Sequence, residues 1–380
     1  MKKIIRLTGY LIPVFLLVGG VFSEETPKDD SSKSYSPYAD QPHQTNVYWG
    51  DTHLHTKLSA DSYMNGNRLT SDDAYRFARG DTITTSSGQQ ARLSRPLDFL
   101  VIADHAYNMG VLDAAEAGDQ RILRTELGAR WATWLNRLKE SDAKKTSQIR
   151  AELEFDTAVR GNAGDNHFRH SVWKDVAALA DKHNEPGSFT ALIGFEWTSF
   201  VYNLHRVVIF QDAANRVGSI IPFTQYDSSD PERLWTFLDD YTQKTGGDVL
   251  AIPHNGNRSR GAMFALEDAK GNLFSTQYAN TRSRWEPLYE VTQIKGDSET
   301  HLILSPTDEF ADYETWPNTN KAGLTWYEKF RKLRNDTDYE KWFEEKNRDQ
   351  PNTDWQRTYE YARSALKLGL KEQEIGRAHV

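Results

Sequence analysis

Residues Val47–Thr56 read VYWGDTHLHT, and the fold turns on how this stretch is taken. A β-rich run, Val47-Tyr48-Trp49, breaks at Gly50 and leads into Asp51, His53 and His55. Residues two apart in an extended chain share a face, so both imidazoles aim at one point just beyond a strand expected to start at Val47. Two neutral imidazoles converging on one point suit a divalent cation. The pair alone is a weak signal, because 11 histidines in 380 residues give about 0.3 such pairs by chance.

What strengthens it is that later apolar runs end in the same way. Leu97–Ala103 (LDFLVIA) is continuous, as in a strand buried on both faces, and ends in Asp104-His105. Phe189–Phe195 ends in Glu196-Trp197, and Val249–Ile252 ends in Pro253-His254-Asn255. Leu288–Ile294 ends in Lys295-Gly296-Asp297. Leu204–Phe210 breaks the pattern by carrying His205 near its start. Between these runs the spacing predicts helices over Thr70–Arg79, about 170–183 and about 231–243, with Gly80 as a stop signal. Residues 82–96 read as an irregular loop, and residues 111–160 as a charged helical insertion with no chemistry of its own. Alternating strands and helices predict a mostly parallel sheet, and in barrels built this way the C-terminal strand ends share one pocket. Histidines and carboxylates placed beside apolar strands are costly unless paired or bound to metal. By contrast, His167, His170 and His183 fall on or near a helix and read as structural.

Composition narrows the function further. The chain has 38% hydrophobic residues and 26% charged ones, ample for a large core. Its formal net charge is −8, and a phosphate-backbone binder would show a basic balance, so nucleic acid is not an expected partner. Residues 1–23 read as a secretory signal: Lys2, Lys3 and Arg6, then an apolar stretch from Leu7 to Phe22, then small residues before Glu24. Removing them takes three positive charges and no acid, which lowers −8 to −11. With zero cysteines, disulfides and thiol catalysis are impossible. Export without disulfides suits a periplasmic or secreted bacterial enzyme with no stable membrane association once the signal is cleaved. Residues 24–46, polar and carrying Pro27, Pro37 and Pro42, read as a disordered linker.

GDTHLHT, Asp61, LDFLVIADH, GFEWTS, NLHRVVIF and IPHN follow one another in an order that resembles the PHP (polymerase and histidinol phosphatase) superfamily. More narrowly, YWGDTHLHT, DAYRFARG, LSRPLDFLVIADHA, EVTQIKGDSETH and SPTDEFADYETW look like its domain-of-unknown-function 3604 (DUF3604) family, over about residues 46–370. The resemblance implies an α/β fold, a distorted TIM-like β/α barrel, with a centre of two or three divalent metal ions (Zn, Mn or Fe). It implies hydrolysis, typically of a small organic phosphate ester. It carries metal-ligand roles onto His53, His55, Asp61, His105, Glu196, His205 and His254, with Glu196 the expected bridge. Such a metal pair lowers the pKa of a shared water and clamps the oxygens of an in-line displacement. Lys295, Arg206 and Asn255 are the candidate donors to developing charge. Asp104, beside His105, is the candidate to orient an imidazole or shuttle a proton. Amide or sulfate ester hydrolysis is the neighbouring activity, and a barrel that only binds metal or ligand, or is truncated and inactive, is the other class.

One departure stands out. The superfamily closes its site with a late Asp-x-His pair, and this chain has none after His254. The chain instead ends in Glu374–Val380, EIGRAHV. Those seven residues are what a library adapter read in frame would encode, so they are expected to be non-native, with two ligands and a final strand missing. A frame continuing past Gln373 into Asp-x-His, found on resequencing, supports this; a genuine stop codon there refutes it.

Overall fold

The structure is a computed structural model. It describes residues 46–313 and 360–374, less positions 142, 200–202, 260, 269–271, 274, 294–295, 302–304, 306–307 and 312. The expected signal, the linker up to residue 45, Lys295 and residues 375–380 of EIGRAHV lie outside the described residues. Every described strand and helix belongs to one unit, Tyr48–Val380.

The first strand, β1, is Gly50–Leu54, so extended pairing begins three residues later than the apolar run suggested. Tyr48 and Trp49 are exposed. Gly50 is the entry because the Phe99 ring packs against its backbone where any side chain would stand. Two short helices follow, α1 (Ala60–Met64) and α2 (Ser71–Ala78). The second opens on a capping box, Thr70 with Asp73, and the chain leaves it through Gly80 at φ +91°. The expected loop over 82–96 contains a small hairpin, β2 (Ile83–Thr84) with β3 (Gln90–Ala91). Then come β4 (Phe99–Ile102), the insertion helices α3 (Val111–Glu116), α4 (Gln120–Leu123), α5 (Glu126–Glu140) and α6 (Ala143–Val159), and the long α7 (Asn166–His183). The remaining strands are β5 (Thr190–Trp197), β6 (Arg206–Phe210) and β7 (Val249–Pro253). Between the last two lie α8 (Ala214–Val217) and α9 (Pro231–Thr245), and α10 (Thr276–Trp285) comes after β7. A helix also spans Ala362–Glu374. Among the described residues no helix is long and apolar enough to cross a membrane.

The sheet order is β1-β4-β5-β6-β7. The pairs β1/β4 and β4/β5 are parallel, while β6 runs antiparallel to both neighbours. That corrects the expectation of parallel strands at one point, and the reason is length. The connection over 198–205 is too short for the crossover of a dozen or more residues that a parallel neighbour needs. The predicted strand over Leu288–Ile294 is not formed as such: Leu288 is exposed, and only Thr292–Gln293 pairs, with Gly296–Asp297.

The sheet is a curled half-barrel. Flat, five strands at about 4.8 Å spacing would hold their edges about 19 Å apart. Yet the ring of His53 on β1 lies 4.3 Å from that of His254, just past β7 at the other edge. Among the described residues no strand closes the gap between β1 and β7. The outer face carries the main core, where Leu100, Phe195, Trp197, Val208, Phe210 and Ala251 meet Trp173, Leu234 and Leu238 of the flanking helices. The inner face holds Val101, Ala103, Val207, Ile209 and Ile252. The insertion builds a separate core on Tyr63, Leu112, Trp131, Leu153 and Phe168.

Candidate metal centre

The pleat decides which side chains reach the inner face. In β5 the residues Ile193, Phe195 and Trp197 turn outward into the main core, so Glu196 turns inward. In β7, Val249 and Ala251 turn outward, and continuing the alternation past Ile252 brings His254 inward. The same count takes β4 through Val101 and Ala103 to His105. In β1, Leu54 turns outward and leaves His53 and His55 on the inner side. A bulge between Asp51 and Leu54 shifts the register against β4, and the Asp51 carboxylate accepts the His53 backbone N–H at 2.7 Å. His205 precedes β6, and because that strand is antiparallel its start lies at the same rim as the ends of the others. The position that broke the sequence pattern thus joins the cluster through strand direction.

Five imidazoles surround Glu196. Its Oε1 lies 2.7 Å from His205 Nδ1 and 2.9 Å from His254 Nε2. Its Oε2 lies 2.8 Å from His55 Nε2, 3.2 Å from His105 Nδ1 and 3.3 Å from His53 Nε2. The rings form a closed circuit: His53 to His55 at 5.1 Å, His55 to His105 at 4.8 Å, His105 to His205 at 5.8 Å, His205 to His254 at 5.6 Å, and back to His53 at 4.3 Å. Asp61, from α1, reaches His55 Nδ1 at 3.1 Å and His105 Nε2 at 3.6 Å. Ser59 holds it in place by donating from Oγ to Asp61 Oδ1 at 2.6 Å.

Among the described residues three groups of donors could hold a metal ion: His53, Glu196 and His254; His55, Asp61 and His105; and His105, Glu196 and His205. The spacing fits. Two donors each about 2.1 Å from a tetrahedral cation stand about 3.4 Å apart, close to the separations around Glu196. All seven nominated ligands are therefore brought together.

Electrostatics shows why this set is unusual for a protein interior. Burial opposes the charge on His53, His55, Asp61 and Glu196, yet in each of these four mutual pairing wins. Asp61 and Glu196 hold His55 well above the ordinary imidazole range, and Glu196 and Glu290 raise His53. Conversely, His105 and His254 among others hold the buried Glu196 well below the carboxylate range, and His55 and His105 do the same for Asp61. The site concentrates proton- or cation-binding capacity around one carboxylate.

The nominated catalytic residues are placed differently. Asp104 alternates outward; it is buried and accepts from the backbone N–H of Thr56 at 2.6 Å and its Oγ1 at 2.7 Å. Burial pushes its carboxyl up. Arg206 likewise faces outward, paired with Trp197 across the strands, and its guanidinium is taken up by Glu286 at 2.8 Å and the Leu204 carbonyl at 2.7 Å. Asn255 turns the chain at φ +69°, and its Oδ1 accepts from Gln293 at 3.0 Å. These three lie one step off the inward register, so the structure does not bring Arg206 or Asn255 to the cluster as donors. Lys295 lies outside the described residues.

Sequence reasoning missed several neighbours. Glu290 lies 2.8 Å from His53 Nδ1, and Thr198 Oγ1 lies 2.6 Å from His105 Nδ1. Tyr107 packs its ring 5.0 Å from that of His105 and belongs to the insertion's core. Thr198 could have been found as the next inward position after Glu196; Glu290 opens the stretch EVTQIKGDSETH, but nothing in that stretch aims it at His53. His170 and His183 bond to the Gly218 carbonyl at 2.8 Å and to Asp72 at 2.9 Å, away from the cluster. A cavity of about 520 Å³ beside Tyr278, Arg282, Leu288 and Leu366 includes none of the cluster's side chains.

No curated protein and no solved structure matches this sequence. A family match covers residues 42–378, which takes in every residue of the imidazole circuit. The chain belongs to the family described as protein of unknown function (DUF3604).

Proposed function

We propose that the chain is a metal-dependent hydrolase of the PHP superfamily type, exported from a bacterial cell and acting on a small organic phosphate ester. The observation that carries this reading is Glu196, buried and within 2.7–3.3 Å of five imidazoles. A structural metal site is closed by four donors, whereas seven convergent donors, five imidazoles and two carboxylates, suit adjacent cations. When bound, such cations activate water near neutral pH and hold the attacking and leaving oxygens of a displacement in line.

The chain's own residues divide the work. Glu196 is shared between the His53/His254 group and the His105/His205 group. His105 also belongs to the Asp61 group, but a neutral imidazole has a single lone pair and serves one cation at a time. Two cations are thus the number the donors support fully. Thr198 and Ser59 orient His105 and Asp61 through their hydroxyls. The net charge of −8 speaks for a small substrate drawn in by cations rather than for a polyanionic partner.

The test is to purify the chain with added Mn, Zn or Fe and assay an aryl phosphate monoester and diester. Turnover is expected with bound metal. His53→Ala should lose metal and at least the ~100-fold that follows loss of an outer partner. Full metal occupancy without turnover on either ester would favour a non-catalytic binder.

A further inference from the structure

Glu290 makes two contacts, one at each edge of the sheet. Its backbone N–H donates to the carbonyl of Pro253, the last residue of β7, at 3.0 Å. Its side chain crosses to β1, where Oε2 lies 2.8 Å from His53 Nδ1. Among the described residues β7 and β1 are the two edges of the sheet, so one residue joins them. Among the described residues its other carboxylate oxygen, Oε1, is buried without a hydrogen-bond partner. A carboxylate oxygen left in that state is costly unless the charge is used nearby.

The His53 ring is held from both sides. Nδ1 faces Glu290, and Nε2 faces Glu196 at 3.3 Å. A ring that donates Nδ1–H to a carboxylate keeps its Nε2 lone pair for a cation, and the donation raises its basicity. Glu290 is itself anchored from behind. Four residues earlier, Glu286 is buried between Arg206 at 2.8 Å and Arg282 at 3.1 Å, and it accepts from the Trp235 indole at 2.7 Å. The Tyr289 hydroxyl accepts from the Gly256 backbone N–H at 3.0 Å, just past His254. The segment that carries Glu290 is therefore fixed on its N-terminal side.

We infer that Glu290 is a positioning residue of the metal centre: it sets the tautomer and orientation of His53 and ties the β1 and β7 edges to each other. This rests on the reading that the cluster holds divalent cations.

The experiment measures Zn and Mn affinity by chelator competition and metal content by elemental analysis. It compares wild type, Glu290→Ala, Glu290→Gln, His53→Ala and the double variant His53→Ala/Glu290→Ala. Glu290→Ala should weaken the tighter cation about 10–100-fold. Glu290→Gln should recover part of the loss, since its amide oxygen still accepts from Nδ1–H. In the His53→Ala background, removal of Glu290 should cost no further affinity, because its partner is already gone. Equal affinity in wild type and Glu290→Ala overturns the positioning role and leaves the metal reading intact. An equal loss in both backgrounds also overturns it, since that is the mark of a merely structural residue. Wild type that takes up no cation sinks the metal reading itself, and the positioning role with it.

Discussion

At the scale of single residues, the imidazole–carboxylate cluster makes stability depend on pH in a direction that can be worked out. His53 and His55 hold protons more tightly in the fold than their ordinary value of 6.5. Their contribution to the metal-free protein is full below that value and is lost as pH rises through their raised values. Glu196 and Asp61 are held below their ordinary 4.5 and 3.8. Their contribution is present above those values and is lost as pH falls through the lowered ones. The chelated protein should therefore be most stable at mildly acidic pH, between about 4.5 and about 6.5. A cation needs the same imidazoles without their protons, so added Mn or Zn should stabilise more as pH rises past 7. Thermal unfolding at about pH 5.5 and about pH 8.5, each with chelator and with metal, checks both halves. A chelated protein more stable at the alkaline end contradicts the pairing described.

At the scale of elements, β5 is the axis of the site, and its close packing is testable. Gly194 stands two residues before Glu196, where an added Cβ would fall 2.5 Å from Val101 Cγ1 and 2.7 Å from the Val208 carbonyl oxygen. One of those neighbours is backbone and cannot swing away. Gly194→Ala should destabilise by about 1–3 kcal/mol in denaturant unfolding, with metal affinity falling as Glu196 is displaced. This element also shows what the sequence discloses and what it withholds. Apolar runs ending in His105, Glu196 and His254 are visible locally, because burial and strand length leave a plain pattern. The candidate donors Arg206 and Asn255 adjoin ligands in sequence, but a pleat sends neighbours to opposite faces. Counting alternation from Phe195 and Val208 would have turned Trp197 and Arg206 outward. The bulge at His53 and the arrival of Glu290 beside β7 have no local signature, since both are settled by packing between distant segments.

At the scale of the whole molecule, two polar networks sit on opposite faces of one sheet and do different things. The inner one is the cluster around Glu196. The outer one, Arg206 with Glu286, Arg282 and Trp235, joins β6 to α9 and α10. Both partners of its central pair are buried to within a few per cent, so breaking it leaves an uncompensated charge. Arg206→Ala should destabilise by about 3–5 kcal/mol in denaturant unfolding while the folded protein keeps its metal stoichiometry. Loss of metal with unchanged stability would instead place Arg206 in the site. Much of the α/β plan is legible from alternating segments. Closure is not, because curl is a cumulative property of twist and side-chain packing across all five strands.

The circuit of rings closes between a histidine near the start of the described chain and one some two hundred positions later. An extended polypeptide offers a cation little more than the His53/His55 pair and Asp61, a poor chelate without the others. Nearly all of any affinity for a cation is thus reserved for the finished architecture, and each ion captured there would shift the folding equilibrium one way. In that sense occupancy of the centre would be a gauge of completed assembly, reporting that the first and last strands of the sheet have found each other.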